Sequence, residues 1–275
     1  MSLRRLLKSM AWKLFPYAGL DARTPGGLAL SIRDKGEWWG VREIFIERVY
    51  TPFFEPLKDV RGWVDVGCNV GYFSLALEDH LRRLSGGTIE STSALLIDAN
   101  DDCLRSVNDS LQRNRLSHWQ TRHGLIGPAG ETVRFNQFRF SIHSKIAGNQ
   151  AGEKVLRYPT SSLEDLLEGF PGPLDLIKID IEGAEADLLK QEPEVLKRFR
   201  YGICEWHDPF LPGPELADFC RSAGFEINCI ESNDAPEERP ADDPLQSRYG
   251  MIGWRNPKVS AASPQAESAV QHPPQ

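Results

Sequence analysis

The sequence predicts an α/β fold, a doubly wound and mostly parallel sheet whose last strand runs antiparallel. Three observations predict it. Short apolar runs ending in an acid are each followed by a turn and a stretch of helical spacing. Strand and helix signals then alternate along the chain. The final two apolar runs have no helix between them, which suits a closing hairpin on one edge of the sheet.

The first strand is Trp63-Val64-Asp65-Val66, short and β-rich as buried parallel strands are. It runs into Asp65-Val66-Gly67-Cys68-Asn69-Val70-Gly71, where two glycines stand four positions apart, and Tyr72 to Leu84 then shows helical spacing. Glycines in such a turn reach positive φ and let a ligand approach bare backbone, while the first helical amides offer donors. A dinucleotide fingerprint needs G-x-G-x-x-G, which this turn does not supply. A tight structural turn with no ligand is the competing reading. An Asp-x-Gly-x-Asn-x-Gly turn is similar to the first motif of S-adenosylmethionine-dependent methyltransferases, which points to Asp65, Gly67, Asn69 and Gly71 as cofactor-binding residues.

The second strand, Ala94-Leu95-Leu96-Ile97-Asp98, also ends in an acid, 33 residues after Asp65, and Asp101 to Arg113 carries helical spacing at Leu104, Val107 and Leu111. The spacing is longer than a compact βαβ unit needs, so Ser85 to Ser93 is expected to form an extra loop. A carboxylate at this strand end can accept hydrogen bonds from both hydroxyls of a ribose. The bland alternative is that Asp98 caps the helix beginning near Asp101. Further strands are predicted over 120–126, 174–180, 201–205, 225–230 and 249–254, with the Pro-, Asp- and Glu-rich stretch Asn233 to Arg248 joining the last two.

The most specific stretch is Asp175-Leu176-Ile177-Lys178-Ile179-Asp180-Ile181-Glu182-Gly183-Ala184-Glu185. With Asp65 to Gly71 it resembles the signature of the FkbM-type methyltransferase family. Ser161 to Leu166 and Ile203-Cys204-Glu205-Trp206-His207 extend the likeness over roughly Trp63 to His207. The resemblance implies a Rossmann-like class I methyltransferase sheet, S-adenosylmethionine at the carboxyl ends of the first strands with Asp180 also at the cofactor, and methyl transfer to an oxygen. Two departures stand out: Ile97-Asp98-Ala99 where the family more often has Phe-Glu-Pro, and the longer stretch between the first two motifs.

A hydroxyl acceptor is a poor nucleophile at neutral pH, so a base near the fourth strand end is expected. Asp180, Glu182 and His207 are the catalytic candidates, with Glu205 beside them, and His207 has the best unperturbed pKa. The competing reading is that Glu205 and His207 only tie loops together, and that Glu182 and Glu185 only complement a helix dipole. Asp180, Glu182 and Glu205 offer oxygen ligands suited to Mg²⁺, but nothing in the spacing demands a metal and none is expected. Trp38 and Trp39 either stack on a sugar or pack an N-terminal helix onto the sheet.

Composition fits one core: 275 residues, 40% hydrophobic and 26% charged. The expected organisation is an N-terminal helical segment or lid over 1–55, a methyltransferase domain over 56–256 and a disordered Ala/Ser/Pro/Gln tail over 257–275. Five cysteines with no C-x-x-C pair argue against a disulfide framework and for a cytoplasmic, reducing location. No apolar run has the length of a membrane span, and the N-terminus lacks a signal-peptide pattern. The net charge of −7 excludes nucleic acid as the expected partner. Arg4, Arg5, Lys8 and Lys13 with no nearby acid make residues 1–16 a basic amphipathic segment, suited to weak contact with an anionic membrane surface or to packing as a lid.

Three functions are weighed. The first is an O-methyltransferase acting on a hydroxyl of a saccharide or natural product. The second is a non-catalytic S-adenosylmethionine-binding or interaction protein, which would need no base at Asp180 or His207. A nicotinamide-dependent oxidoreductase is disfavoured by the missing fingerprint, and the Asn/Asp-Pro-Pro-aromatic loop of amino-methylating DNA enzymes is absent after Ile179.

Overall fold

The computed structural model describes residues 19–86, 92–127, 130–137, 145–146, 154–233 and 243–260. The basic segment 1–16, most of the extra loop 85–93 and the tail beyond 260 lie outside them.

The central sheet has seven strands, β3 (Gly62–Val66), β4 (Ser93–Asp98), β5 (Trp119–His123), β10 (Leu176–Ile179), β11 (Tyr201–His207), β12 (Glu226–Ser232) and β13 (Tyr249–Arg255). Their order is β12-β13-β11-β10-β3-β4-β5, parallel from β11 to β5, with β13 antiparallel to both of its neighbours. This is the predicted α/β sheet with its reversed last strand. The order reverses between β3 and β10, and the crevice of a doubly wound sheet opens at such a point.

Side-chain alternation divides the interior into two cores. Trp63 and Leu96 bury into one with Tyr50, Phe53 and Phe73 from the helices; Val64, Val66, Leu95 and Ile97 bury into the other with Leu188, Phe199 and Leu216. Apolar residues on both faces are what make these strands continuous hydrophobic runs. The reversed strand is seated by two tryptophans laid over glycines: Gly202 is the register partner of Trp254, and Trp206 that of Gly250. A Cβ on Gly202 would come within 2.0 Å of the Trp254 ring, and one on Gly250 within 2.2 Å of Trp206.

Helix α3 (Tyr72–Leu84) follows β3, and α4 (Asp101–Asn114), capped by Asn100, follows β4, both as predicted. Two regions differ from the expectation. Residues 120–126 do not form one strand: after Gly124 the chain leaves the sheet as β6 (Leu125–Ile126), which joins β7 (Thr132–Gln137), β8 (Lys145–Ile146) and β9 (Lys154–Ser161) in a second sheet of order β6-β9-β7-β8. The N-terminal segment is not helical throughout. Its described part begins with a hairpin of β1 (Leu20–Arg23) and β2 (Ala29–Ile32), because Thr24-Pro25-Gly26-Gly27 turns the chain and the Thr24 hydroxyl accepts from Leu28 N at 3.0 Å. Helix α1 (Lys35–Val41), a π-helical turn (Arg42–Glu47) and α2 (Thr51–Phe54) follow; the first two face the carboxyl ends of β3 and β10, and α2 buries Phe53 and Phe54 in the core.

Candidate functional site

The turn after β3 is built around backbone groups. Gly67 N and Cys68 N both donate to Ile97 O of the neighbouring strand, at 2.9 and 3.0 Å. Gly67 has φ +74°, and a Cβ there would lie 1.7 Å from the carbonyl oxygen of Asp180, so only glycine lets the two strand ends meet this closely. Asn69, also at positive φ, donates its backbone N–H to Asp98 Oδ2 at 2.8 Å. Gly71, left-handed as well, starts α3.

Asp98 therefore does not cap α4; Asn100 does. Its carboxylate accepts from Asn69 N and, at 2.8 Å, from Asn100 N, one bond on each oxygen. Burial pushes its pKa up to about 6 against the pull of those two amides. Each oxygen keeps a free lone-pair direction, and the carboxylate lines a cavity of about 620 Å³ with Gly67, Asn69, Ile97, Leu125 and Asp180. This is a polar anchor beside an apolar slot, suited to a ribose next to a flat base.

Asp65 sits elsewhere. Its side chain is fully buried beneath the turn, accepting from the Ser74 hydroxyl at 2.7 Å, and it lines neither this cavity nor the one described next. Its relation to a ligand is through the turn it supports. Burial raises its pKa in spite of Lys178 nearby.

The second cavity, about 900 Å³, lies on the other side of the turn, and Gly67, Asn69, Asp180 and Glu182 line both. Its inner wall comes from the ends of β10 and β11 with Lys178, Glu205 and His207; its outer wall comes from the N-terminal segment with Trp39, Glu43, Ile44 and Tyr50. Trp38 packs on the core, whereas Trp39 is 48% exposed with Arg42 stacked 4.8 Å from its ring.

The charges at the junction are ordered. Lys178 Nζ donates to Gly67 O at 2.9 Å and Asp180 Oδ2 at 3.0 Å. Burial works to raise the Asp180 pKa, but Lys178, His207 and a hydrogen bond with Glu205 outweigh it and hold the carboxyl below its usual value. Burial, and next the Asp180 charge, push Glu205 well above the carboxylate range, so Glu205 is the protonated partner; Asn233 donates to its Oε1 at 3.0 Å. His207 has Nδ1 3.2 Å from Glu185 Oε1 and Nε2 3.9 Å from Glu182 Oε2. Burial would lower its pKa, yet Glu185, with Glu205 and Asp180 behind it, raises it to about 10. The unperturbed imidazole expected from sequence is thus an imidazolium at neutral pH, a donor and not a base.

Glu185 is fully buried and accepts from Ile181 N at 2.8 Å and Gly183 N at 2.9 Å, bracing the strand-to-helix turn that carries Glu182 at φ +55°. Asp180, Glu185 and His207 offer ligand atoms within 4.8 Å of one another. Within that set His207 is the counter-charge to Glu185, and Lys178 is the counter-charge to Asp180.

The structure thus brings Gly67, Asn69, Asp98, Asp180, Glu182 and His207 together at one mouth, with Gly71 behind them and Asp65 below. Sequence reasoning missed Lys178, Glu43 and Tyr50. Lys178 had a signal, a charge inside the apolar strand Leu176-Ile177-Lys178-Ile179; Glu43 and Tyr50 had none.

Residues 65–227 match the model of the methyltransferase FkbM domain. None of the curated proteins matches the chain. Among solved structures, Aeropyrum pernix fibrillarin with natively bound S-adenosyl-L-methionine shares 10% identity over 87% of this chain and 83% of its own, with a TM-score of 0.48. TrmK from M. capricolum, in complex with S-adenosyl-homocysteine, shares 13% over 73% and 64%, TM-score 0.43. A precorrin-6y C5,15-methyltransferase from Geobacter metallireducens shares 9% over 76% and 87%, TM-score 0.43.

Proposed function

The chain belongs to the FkbM methyltransferase family, and from that premise we propose that it transfers a methyl group from S-adenosylmethionine to a hydroxyl of a small acceptor, a saccharide or natural product. One observation carries the reading: two cavities meet at a shared wall, one anchored by Asp98 and the other lined by ionisable groups, with Asp180 facing both.

The first cavity fits the donor. Asp98 has acceptor capacity left for two ribose hydroxyls, Ile97 and Leu125 supply apolar walls, and the bare backbone at Gly67 admits close approach. S-adenosylmethionine, when bound, supplies a methyl already activated by its sulfonium. The chain's own task is positioning an acceptor and receiving a proton.

Asp180 is the residue we assign to that proton. Lys178 and the Glu205 carboxyl keep it ionised, so it accepts a hydrogen bond from the acceptor hydroxyl and takes the proton as the oxygen–carbon bond forms. His207, carrying its own proton, orients the acceptor through Nε2, and Glu182 shares that edge. Residues 56–256 form the methyltransferase unit in this reading, and the segment before them walls the acceptor side. A net charge of −7 and the carboxyl-lined second cavity favour a small acceptor over nucleic acid. All five cysteines are free, which suits a reducing cytoplasm. Among the described residues no helix is long and apolar enough to cross a membrane.

Calorimetric titration with S-adenosylmethionine and S-adenosylhomocysteine tests the reading. Micromolar binding that Asp98→Asn weakens is the expected result; folded wild-type protein that binds neither ligand overturns it.

A further inference from the structure

The second cavity has a charge imbalance on its outer wall. With Glu205 protonated, three ionised carboxylates line it, Glu43, Asp180 and Glu182, against two cations, Lys178 and His207, which also answer buried Asp65 and Glu185 outside its lining. Both cations are committed inward: Lys178 to Asp180 and to buried Asp65 3.6 Å away, His207 to Glu185 and Glu182. Glu43, on the π-helical turn, has no side-chain hydrogen bond or ion pair among the described residues, while the adjacent Arg42 is paired with Glu47 at 2.6 Å. Its carboxyl lines the same space as Asp180, and the residue is exposed, so a ligand can reach it from solvent. An unpaired carboxylate facing another carboxylate is a place where a cation from outside is favoured. Trp39, 48% exposed, lines the same space and suits the apolar face of a ring or an ammonium group.

Resting on the reading of this mouth as a methyl-transfer site, we propose that the acceptor is positively charged, an amino sugar or amino alcohol whose ammonium group is received by Glu43. The hydroxyl to be methylated then reaches Asp180 from the same cavity, and Trp39 covers the ring. Glu43 is a specificity residue here: it selects the acceptor's charge and takes no part in the proton transfer. Anionic acceptors such as uronic acids meet three ionised carboxylates and are rejected.

The test uses the full chain saturated with S-adenosylhomocysteine and three hexoses of matched size, glucosamine, glucose and glucuronate, titrated by ligand-observed NMR. Glucosamine is expected to bind best and glucuronate worst. Glu43→Gln should lower the preference for glucosamine over glucose by about fivefold, the scale of a solvent-accessible ion pair. Glu43→Lys should move the preference to glucuronate, and neither variant should alter the affinity for S-adenosylhomocysteine. Equal binding of glucosamine and glucose, tighter binding of glucuronate, or no glucosamine binding by protein that holds S-adenosylhomocysteine each overturns the proposal. Failure of S-adenosylhomocysteine to bind overturns the methyl-transfer reading instead, and the hexose titrations of the unloaded protein still decide the charge preference.

Discussion

Lys178 and Asp65 are register partners on adjacent parallel strands, and the Lys178 ammonium lies 3.6 Å from Asp65 Oδ1, an oxygen with no hydrogen-bond donor of its own. Both side chains are buried, at 5% and 0% exposure. Since Lys178 also holds Gly67 O and Asp180, this pair fastens the two strand ends that form the shared wall. Removing one partner of a buried pair leaves the other charge uncompensated. Lys178→Met is therefore expected to destabilise the fold by about 3–5 kcal/mol in urea unfolding. Adding Asp65→Asn should recover part of that loss, a coupling that a double-mutant cycle reads directly.

Gly67 offers a sharper contrast. Alanine there combines positive φ with a Cβ 1.7 Å from a backbone oxygen, which no side-chain adjustment relieves. Gly86, at φ +64°, has nothing within 4 Å of the place a Cβ would take. Gly86→Ala should cost about 1 kcal/mol, while Gly67→Ala should cost about 3 kcal/mol or more and abolish donor binding with it. Equal midpoints for the two variants in chemical denaturation would refute the close approach.

A pH dependence of donor binding follows from Asp98. Its carboxyl keeps a proton up to about pH 6 in the free protein, and the protonated form is the poorer acceptor for a diol. Affinity for S-adenosylhomocysteine should be flat near neutrality and fall below about pH 6, approaching tenfold per pH unit. Asp98→Asn should bind about 10- to 100-fold more weakly at neutral pH and show no such slope.

His207 predicts a trend in stability. Its pKa is raised on folding, so the stabilisation is fully present below about 6.5 and is lost as pH rises through about 10. Melting temperatures of wild type and His207→Gln should differ most at about pH 6.5 and below, draw together as pH rises from there, and converge above pH 10. A gap that is constant across this range would mean that Glu185 does not hold an imidazolium.

The strands were legible because burial on both faces makes them uninterrupted apolar runs, and the helices because residues such as Leu104 and Val107 fall at helical spacing; the Asn100 cap was not read, Asp98 having been the capping candidate. The second sheet was not, because Thr132–Gln137 pairs with Lys154–Ser161 across a long intervening stretch, and Pro159 inside the latter reads against a strand. At the site, Asp98 and Asp180 stood out as acids at strand ends. The protonation of His207 did not, since it depends on Glu185 reaching 3.2 Å across the fold, a distance that spacing along the chain does not encode. Glu43 was invisible for the same reason: it reaches the mouth only because the π-helical turn folds back over the sheet.

That turn and the helix before it come from residues 35–47, ahead of the stretch matched by the family model, while Asp98 and Asp180 come from within it. Only the outer wall of the second cavity thus comes from ahead of the matched stretch, while its inner wall comes from within it. An engineer could rebuild residues 35–47 on the same sheet and redraw that outer wall while leaving the Asp98 anchor and the Gly67 turn as they are.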